Sequence, residues 1–84
     1  MYLHIGNNVI MKREDIIGIF DLKAIKKSKN CKKFFEKLEE NNNIINISEG
    51  IEESLVLAMK KNKLKGYISN ISSGTLGKRC NVIE

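Results

Sequence analysis

The chain contains no proline and no tryptophan, two cysteines, one histidine, and Arg13 and Arg79 as its only arginines. Each shortage excludes something. Without proline there is no stiff extended linker between domains. Two cysteines fall short of a disulfide framework or a four-cysteine zinc site. Cys31 is expected in the core and Cys80 near a frayed end, so they make no metal pair. His4 has no cysteine or acid at ligand spacing, which predicts a structural or surface role over a catalytic one. No apolar run approaches the roughly 20 residues of a membrane-spanning helix. Nucleophile elbow, HExxH and dinucleotide-binding glycine patterns are all missing. The expectation is a chain that is not an enzyme, with no cofactor, no metal, no small-molecule substrate and no membrane.

What is present is a folding composition. The 84 residues are 42% hydrophobic and 30% charged, with a formal net charge of +5. That size fits one domain, residues 1–84, with a stability of about 4–12 kcal/mol. The first residues, Met-Tyr-Leu-His-Ile-Gly, lack the cationic start and apolar core of a signal peptide. A cytoplasmic location with reduced cysteines is therefore expected.

The run Ile16-Ile-Gly-Ile-Phe20, closed by Asp21, reads as a buried strand around which the rest is organised. Strand alternation puts Ile16, Gly18 and Phe20 on one face, with Ile17 and Ile19 on the other. Before it, Tyr2–Ile5 and Val9–Met11 read as strands joined at Gly6-Asn-Asn8. A lysine-rich connector runs to Lys27. Ser28 then caps a helix whose stripe is Cys31, Phe34, Phe35 and Leu38, with both phenylalanines expected in the core. Asn41-Asn-Asn43 ends it. Strands follow at Ile44–Ile47, Leu55–Met59 and Leu64–Ser69, with turns at Ser48–Gly50 and Lys60–Lys63. Ser72 caps a short helix through Arg79, and Lys78 and Arg79 suit that helix's C-terminal end better than a phosphate cradle. The class is α+β: a small, mostly antiparallel sheet with one amphipathic helix and a short C-terminal helix. Ile16–Phe20 and Leu55–Met59 are apolar on both faces, while one helix covers only one. The sheet could close on itself or pack against another copy of the chain; the second is the expectation, hence a homo-oligomer.

The charge sits in two lysine clusters. One is Lys23, Lys26, Lys27, Lys29, Lys32 and Lys33; the other is Lys60, Lys61, Lys63 and Lys65 at a strand turn. Lysine is a point charge suited to phosphate, whereas bidentate reading of bases favours arginine. Both clusters also fit a plain solvated surface.

Three segments carry a family resemblance: Tyr2-Leu-His-Ile-Gly6, Asp15-Ile-Ile-Gly-Ile-Phe-Asp21 and Tyr67-Ile-Ser-Asn-Ile-Ser-Ser-Gly-Thr-Leu-Gly-Lys-Arg79. In order and spacing they resemble the bacterial RemA/RemB extracellular-matrix regulators, the RemB branch most closely, from Tyr2 to Arg79. The resemblance implies a LytTR-like domain that assembles into rings and regulates matrix, or biofilm, genes by binding double-stranded DNA. The chain departs from the pattern at Gly50-Ile-Glu-Glu-Ser54, where the DNA-binding branch has adjacent arginines after the glycine. Ile51 and Glu52 hold those positions, so the DNA contacts are expected at Lys60, Lys61, Lys63 and Lys65. Asn70 and Gly77 stand where RemB-type members tend to have proline and an extra lysine. The alternatives are a ring-forming structural or partner-binding protein that has lost DNA affinity and, last, an RNA-binding module, for which the few aromatics show no stacking pattern.

Overall fold

Two tight turns set the topology. Asn7 and Asn8 have φ of 41° and 61°, and Lys61 and Asn62 have 51° and 64°. Paired positive φ is the signature of a two-residue hairpin whose twist matches its strands. The first turn joins β1 (Tyr2–Gly6) to β2 (Val9–Lys12), and the second joins β5 (Ser54–Lys60) to β6 (Lys63–Ser69). The computed structural model describes residues 1–81.

After β2 a 3-10 turn, Arg13–Asp15, leads into β3 (Ile16–Asp21). Asp21 accepts a hydrogen bond from the Lys23 backbone N–H at 3.1 Å, capping α1 (Leu22–Lys27). The lysine-rich stretch expected to be a connector is therefore a helix. Its cap was readable, but six residues with four polar or small positions show no convincing period. Ser28 caps α2 (Lys29–Glu40) as expected, accepting from the Cys31 N–H. Asn42, at φ 57°, turns the chain into β4 (Ile44–Asn46). Ser72 accepts from the Thr75 N–H at 3.2 Å at the start of α3 (Ser73–Asn81).

The four-stranded sheet has the order β3-β5-β6-β4, and β1 and β2 form a separate two-stranded sheet. The β4–β6 pair is parallel and the rest are antiparallel, so the larger sheet is mixed. The class is α+β, with three α-helices among the described residues.

Three expectations are corrected. First, β3 is an edge strand, not a buried centre; Ile17 is 57% and Phe20 41% exposed. Second, its faces are not those of simple alternation. The register slips between Ile16 and Gly18, leaving Ile17 without a partner on β5. Ile16 opposite Ala58 and Ile19 opposite Val56 then share one face, with Gly18 and Phe20 on the other. A bulge inserts one residue and flips the side chains beyond it. A Cβ on Gly18 would lie 2.6 Å from the Phe20 ring, so a larger residue there would displace that half-exposed ring. Third, both sheet faces are covered within this one chain. Leu55, Leu57 and Ile68 pack with Leu22, Ile25, Phe35 and Leu38 under the helices. Val56 and Ala58 pack on the opposite side with Leu3, Ile5 and Met11 of the first hairpin and Leu76 of α3. An uncovered sheet face is thus no motive for self-association.

The α2 stripe is narrower than its spacing predicts. Phe35 and Leu38 are buried, while Phe34 is 39% exposed and Cys31 is at the surface. Leu22 and Ile25 of α1 fill the rest of that layer, so two positions of α2 suffice.

Buried Ser69 fastens the first hairpin to the sheet, and buried Ser54 holds the segment that follows β6. Ser69 Oγ donates to the Ile5 carbonyl at 2.6 Å and accepts from the Ile71 N–H at 2.9 Å. Ser54 Oγ donates to the Ile71 carbonyl at 2.7 Å. Both serines are fully buried, so these bonds satisfy groups that would otherwise carry a desolvation cost. Arg79 donates from Nη1 to the His4 carbonyl at 3.0 Å, tying α3 to β1.

Candidate nucleic-acid interface

The β5–β6 register decides where the late lysines go. Lys60 stands opposite Lys63, Ala58 opposite Lys65 and Val56 opposite Tyr67. Val56 and Ala58 face the first hairpin, so parity puts Lys60, Lys63, Lys65 and Tyr67 on that face too. Lys61 occupies the turn itself. The hairpin β1–β2 lies along this face, and between the two hairpins runs an open groove of about 600 Å³. Val9, Met11 and Ala58 contribute apolar wall, and Tyr2 and Tyr67 contribute aromatic rings.

The groove brings together all four lysines singled out in the sequence and adds Lys12 from the end of β2. Asp15 is the one carboxylate among its described lining residues, so five cations face one anion. None of these lysines lies within 4 Å of a carboxylate among the described residues; the ion pairs there are Met1 amino–Glu14 and Lys26–Glu52. Lys60 and Lys63 are directly opposed across the strands, and opposed like charges destabilise a sheet. A multiply charged anion in the groove would relieve that repulsion.

Sequence reasoning missed Lys12, Tyr2 and Tyr67. Lys12 read as part of a polar break, and nothing local says that the first hairpin folds across the face of β5 and β6. The signal available was weak: Met11 apolar and Lys12 polar at a strand end, beside a turn.

The early lysine cluster is arranged differently. Lys23, Lys26 and Lys27 lie on α1, and Lys29, Lys32 and Lys33 on α2, all exposed. Lys26 pairs with Glu52 at 3.8 Å, and the hollow beside it also contains Glu39. This surface is mixed in charge.

The loop at Gly50 is pinned. Glu49 and Gly50 have φ of 54° and 93°. Glu52 accepts from Asn46 Nδ2 at 3.0 Å besides its pair with Lys26, while Ile51 is 62% exposed. The loop precedes β5 and the lysines follow it. The seven residues of that strand separate them by about 20 Å. The acids of this loop therefore do not neutralise the groove.

Of the other residues considered, His4 is exposed on β1 with its carbonyl held by Arg79. Cys80 is half-buried against Leu76 and its neighbours, and Cys31 is exposed. Among the described residues no group of three histidine, cysteine or acidic side chains could hold a metal. None of their helices is long and apolar enough to cross a membrane.

Known proteins agree with the three-segment resemblance. The family described as "RemA-like: Extracellular matrix regulatory protein A-like" matches residues 2–80. Extracellular matrix regulatory protein B of Bacillus subtilis (strain 168) is 33% identical over 79 residues, covering 94% of this chain and 89% of that protein. Within Tyr67–Arg79, one of the three segments quoted above, Ser69, Leu76 and Arg79 lock the first hairpin in place. The chain belongs to the RemA-like family of extracellular matrix regulatory proteins.

Proposed function

We propose that this chain regulates extracellular-matrix genes as a homo-oligomer that binds double-stranded DNA through Lys60, Lys61, Lys63 and Lys65, joined by Lys12. The observation that carries the reading is the lysine groove between the two hairpins, which has five cations and one acid. Unpaired lysines neutralise phosphates and release counterions, giving sequence-tolerant affinity that weakens as salt rises. The cations among the groove's described lining residues are all lysines. That favours contact with the backbone over bidentate reading of bases.

Assembly is supported by the edge strand β3, whose unpaired side and exposed Ile17 and Phe20 are a ready template for a second copy. A ring of LytTR-like subunits is the arrangement that the family resemblance implies. Ile51 and Glu52, at the family's basic-pair positions, favour the second reading, a ring that acts on protein partners without DNA. A mobility-shift assay across a salt series separates the two. If about four phosphates are neutralised, the slope is about −3.6, and affinity falls about a hundredfold between about 50 and 200 mM salt. Lys60→Glu with Lys61→Glu abolishes the shift. Absence of any shift in the wild type at low salt would give the lead to the partner-binding reading.

A further inference from the structure

The groove has more structure than phosphate contact needs. A DNA backbone asks only for surface cations, yet here the cations rim a walled depression with an apolar side and two aromatic rings. Val9, Met11 and Ala58 form that side, Tyr2 and Tyr67 supply the rings, and the volume of about 600 Å³ lies within the range of small-ligand sites. Lys60 and Lys63 face one another across the strand pair with Lys65 two residues along the same face. Lys61 adds a fourth amine at the turn. This pairing of an apolar aromatic wall with a rim of five lysines against the single carboxylate of Asp15 among the described lining residues is amphipathic, and it selects a ligand that is amphipathic in the same way.

We infer that the groove between the β1–β2 and β5–β6 hairpins binds a nucleoside polyphosphate, with the base against Tyr2 and Tyr67 and the phosphates on Lys60, Lys61 and Lys63. The base supplies a flat apolar face that stacks on tyrosine irrespective of its sequence of donors and acceptors. The phosphates compensate the opposed lysines, which have no carboxylate within 4 Å among the described residues. Tyr2 is 64% exposed, leaving its ring accessible to a ligand from solvent. Because the same lysines are those proposed to hold DNA, the ligand competes with DNA, and that regulatory consequence rests on the DNA-binding reading. The site itself does not.

Calorimetric titration of the full chain with ATP, inorganic triphosphate and adenosine tests it, beside a mobility-shift assay on the same preparation. ATP is expected to bind at least about tenfold more tightly than triphosphate, the share supplied by stacking. Tyr2→Ala removes that advantage; its side chain is largely outside the core, and a far-UV melt confirms that the variant is folded. Equal affinity for ATP and triphosphate, an ATP advantage that survives Tyr2→Ala in the folded variant, or no ATP binding at all overturns the proposal. A DNA shift without ATP binding removes the nucleotide site and leaves the DNA contact standing. ATP binding without a DNA shift does the reverse. Where both bind, added ATP raises the DNA concentration needed for half-saturation.

Discussion

Replacing Phe35 by alanine and, separately, Phe34 by alanine should give very different proteins, although the two residues are neighbours on one helix. Phe35 is 7% exposed and packs with Leu22, Ile25, Leu38, Leu55, Leu57 and Ile68, residues of two helices and two strands. Truncating a phenylalanine in such a site costs about 3–5 kcal/mol, the lost transfer energy plus the cavity left behind. An 84-residue chain has about 4–12 kcal/mol in all, so this is a large share. At about 4–8 °C per kcal/mol for a domain of this size, the melting temperature falls by about 12–40 °C. Phe34 is 39% exposed and lies outside that cluster, so its truncation costs under about 1 kcal/mol. Thermal melts of the two variants by far-UV circular dichroism, at one protein concentration, make the comparison. A Phe35→Ala variant that melts as high as Phe34→Ala would refute the assignment of the buried stripe. A loss at Phe34 that grows on dilution would place that residue in a subunit contact.

Light scattering at micromolar concentration should give the mass of an oligomer, and Ile17→Lys with Phe20→Lys on the exposed side of β3 should reduce it; a wild-type monomer ends the assembly proposal. Gly6→Ala should destabilise by about 1–3 kcal/mol, because φ of 131° is strained for alanine and the new Cβ would lie 2.8 Å from Asn70 Oδ1; an unchanged melt would show that the β1–β2 turn relaxes freely. Ile51→Arg with Glu52→Arg should tighten DNA binding and steepen the salt slope by about 0.9 per added phosphate contact. The fold should tolerate it within about 1 kcal/mol, since the Lys26–Glu52 pair is exposed. If that double variant leaves DNA binding unchanged while Lys60→Glu with Lys61→Glu abolishes it, the Gly50 loop faces away from DNA.

Most of the elements were legible because their signals are local. Ser28 and Ser72 announce helix starts by bonding to N–H groups three residues on. Asn-Asn at 7–8 and Lys-Asn at 61–62 carry the positive φ of tight hairpins. Leu55–Met59 reads as apolar on both faces, and Leu55 to Ala58 are buried on both while Met59 is 41% exposed. What failed was everything decided by neighbours. The bulge at Ile17 has no composition of its own; it is visible only against β5, and it reverses which isoleucines share a face. The parallel pairing of β4 with β6 is likewise a fact of register, since Ile44–Asn46 would suit either direction. Cys31 and Phe34 fit the helical stripe by spacing and lose their place because α1, a helix too short to show a period, takes the space first.

The candidate site shows the same division, with one consequence for how this family should be read. Four of its lysines were visible as a cluster because they lie within six residues of one another. Lys12 and Tyr2 were invisible because only the docking of the first hairpin on the sheet brings them there. That docking depends on Ser69 reaching the Ile5 carbonyl, Arg79 reaching the His4 carbonyl and Leu76 filling the space beneath. Ser69, Leu76 and Arg79 lie in the segment Tyr67–Arg79, and none of the three lines the groove. Residues outside the groove therefore hold its wall in place, whereas the charge on that wall comes from Lys12, Lys60, Lys61 and Lys63 at exposed positions and Lys65 at a half-buried one. Ile51 and Glu52 stand after Gly50, where the family resemblance implies adjacent arginines, and Glu52 there pairs with Lys26 and Asn46. The electrostatic surface is then carried about 20 Å away, at the far end of β5. The contacts made by Tyr67–Arg79 thus argue for the groove's shape, and the lysines at 12, 60, 61, 63 and 65 argue for what it holds.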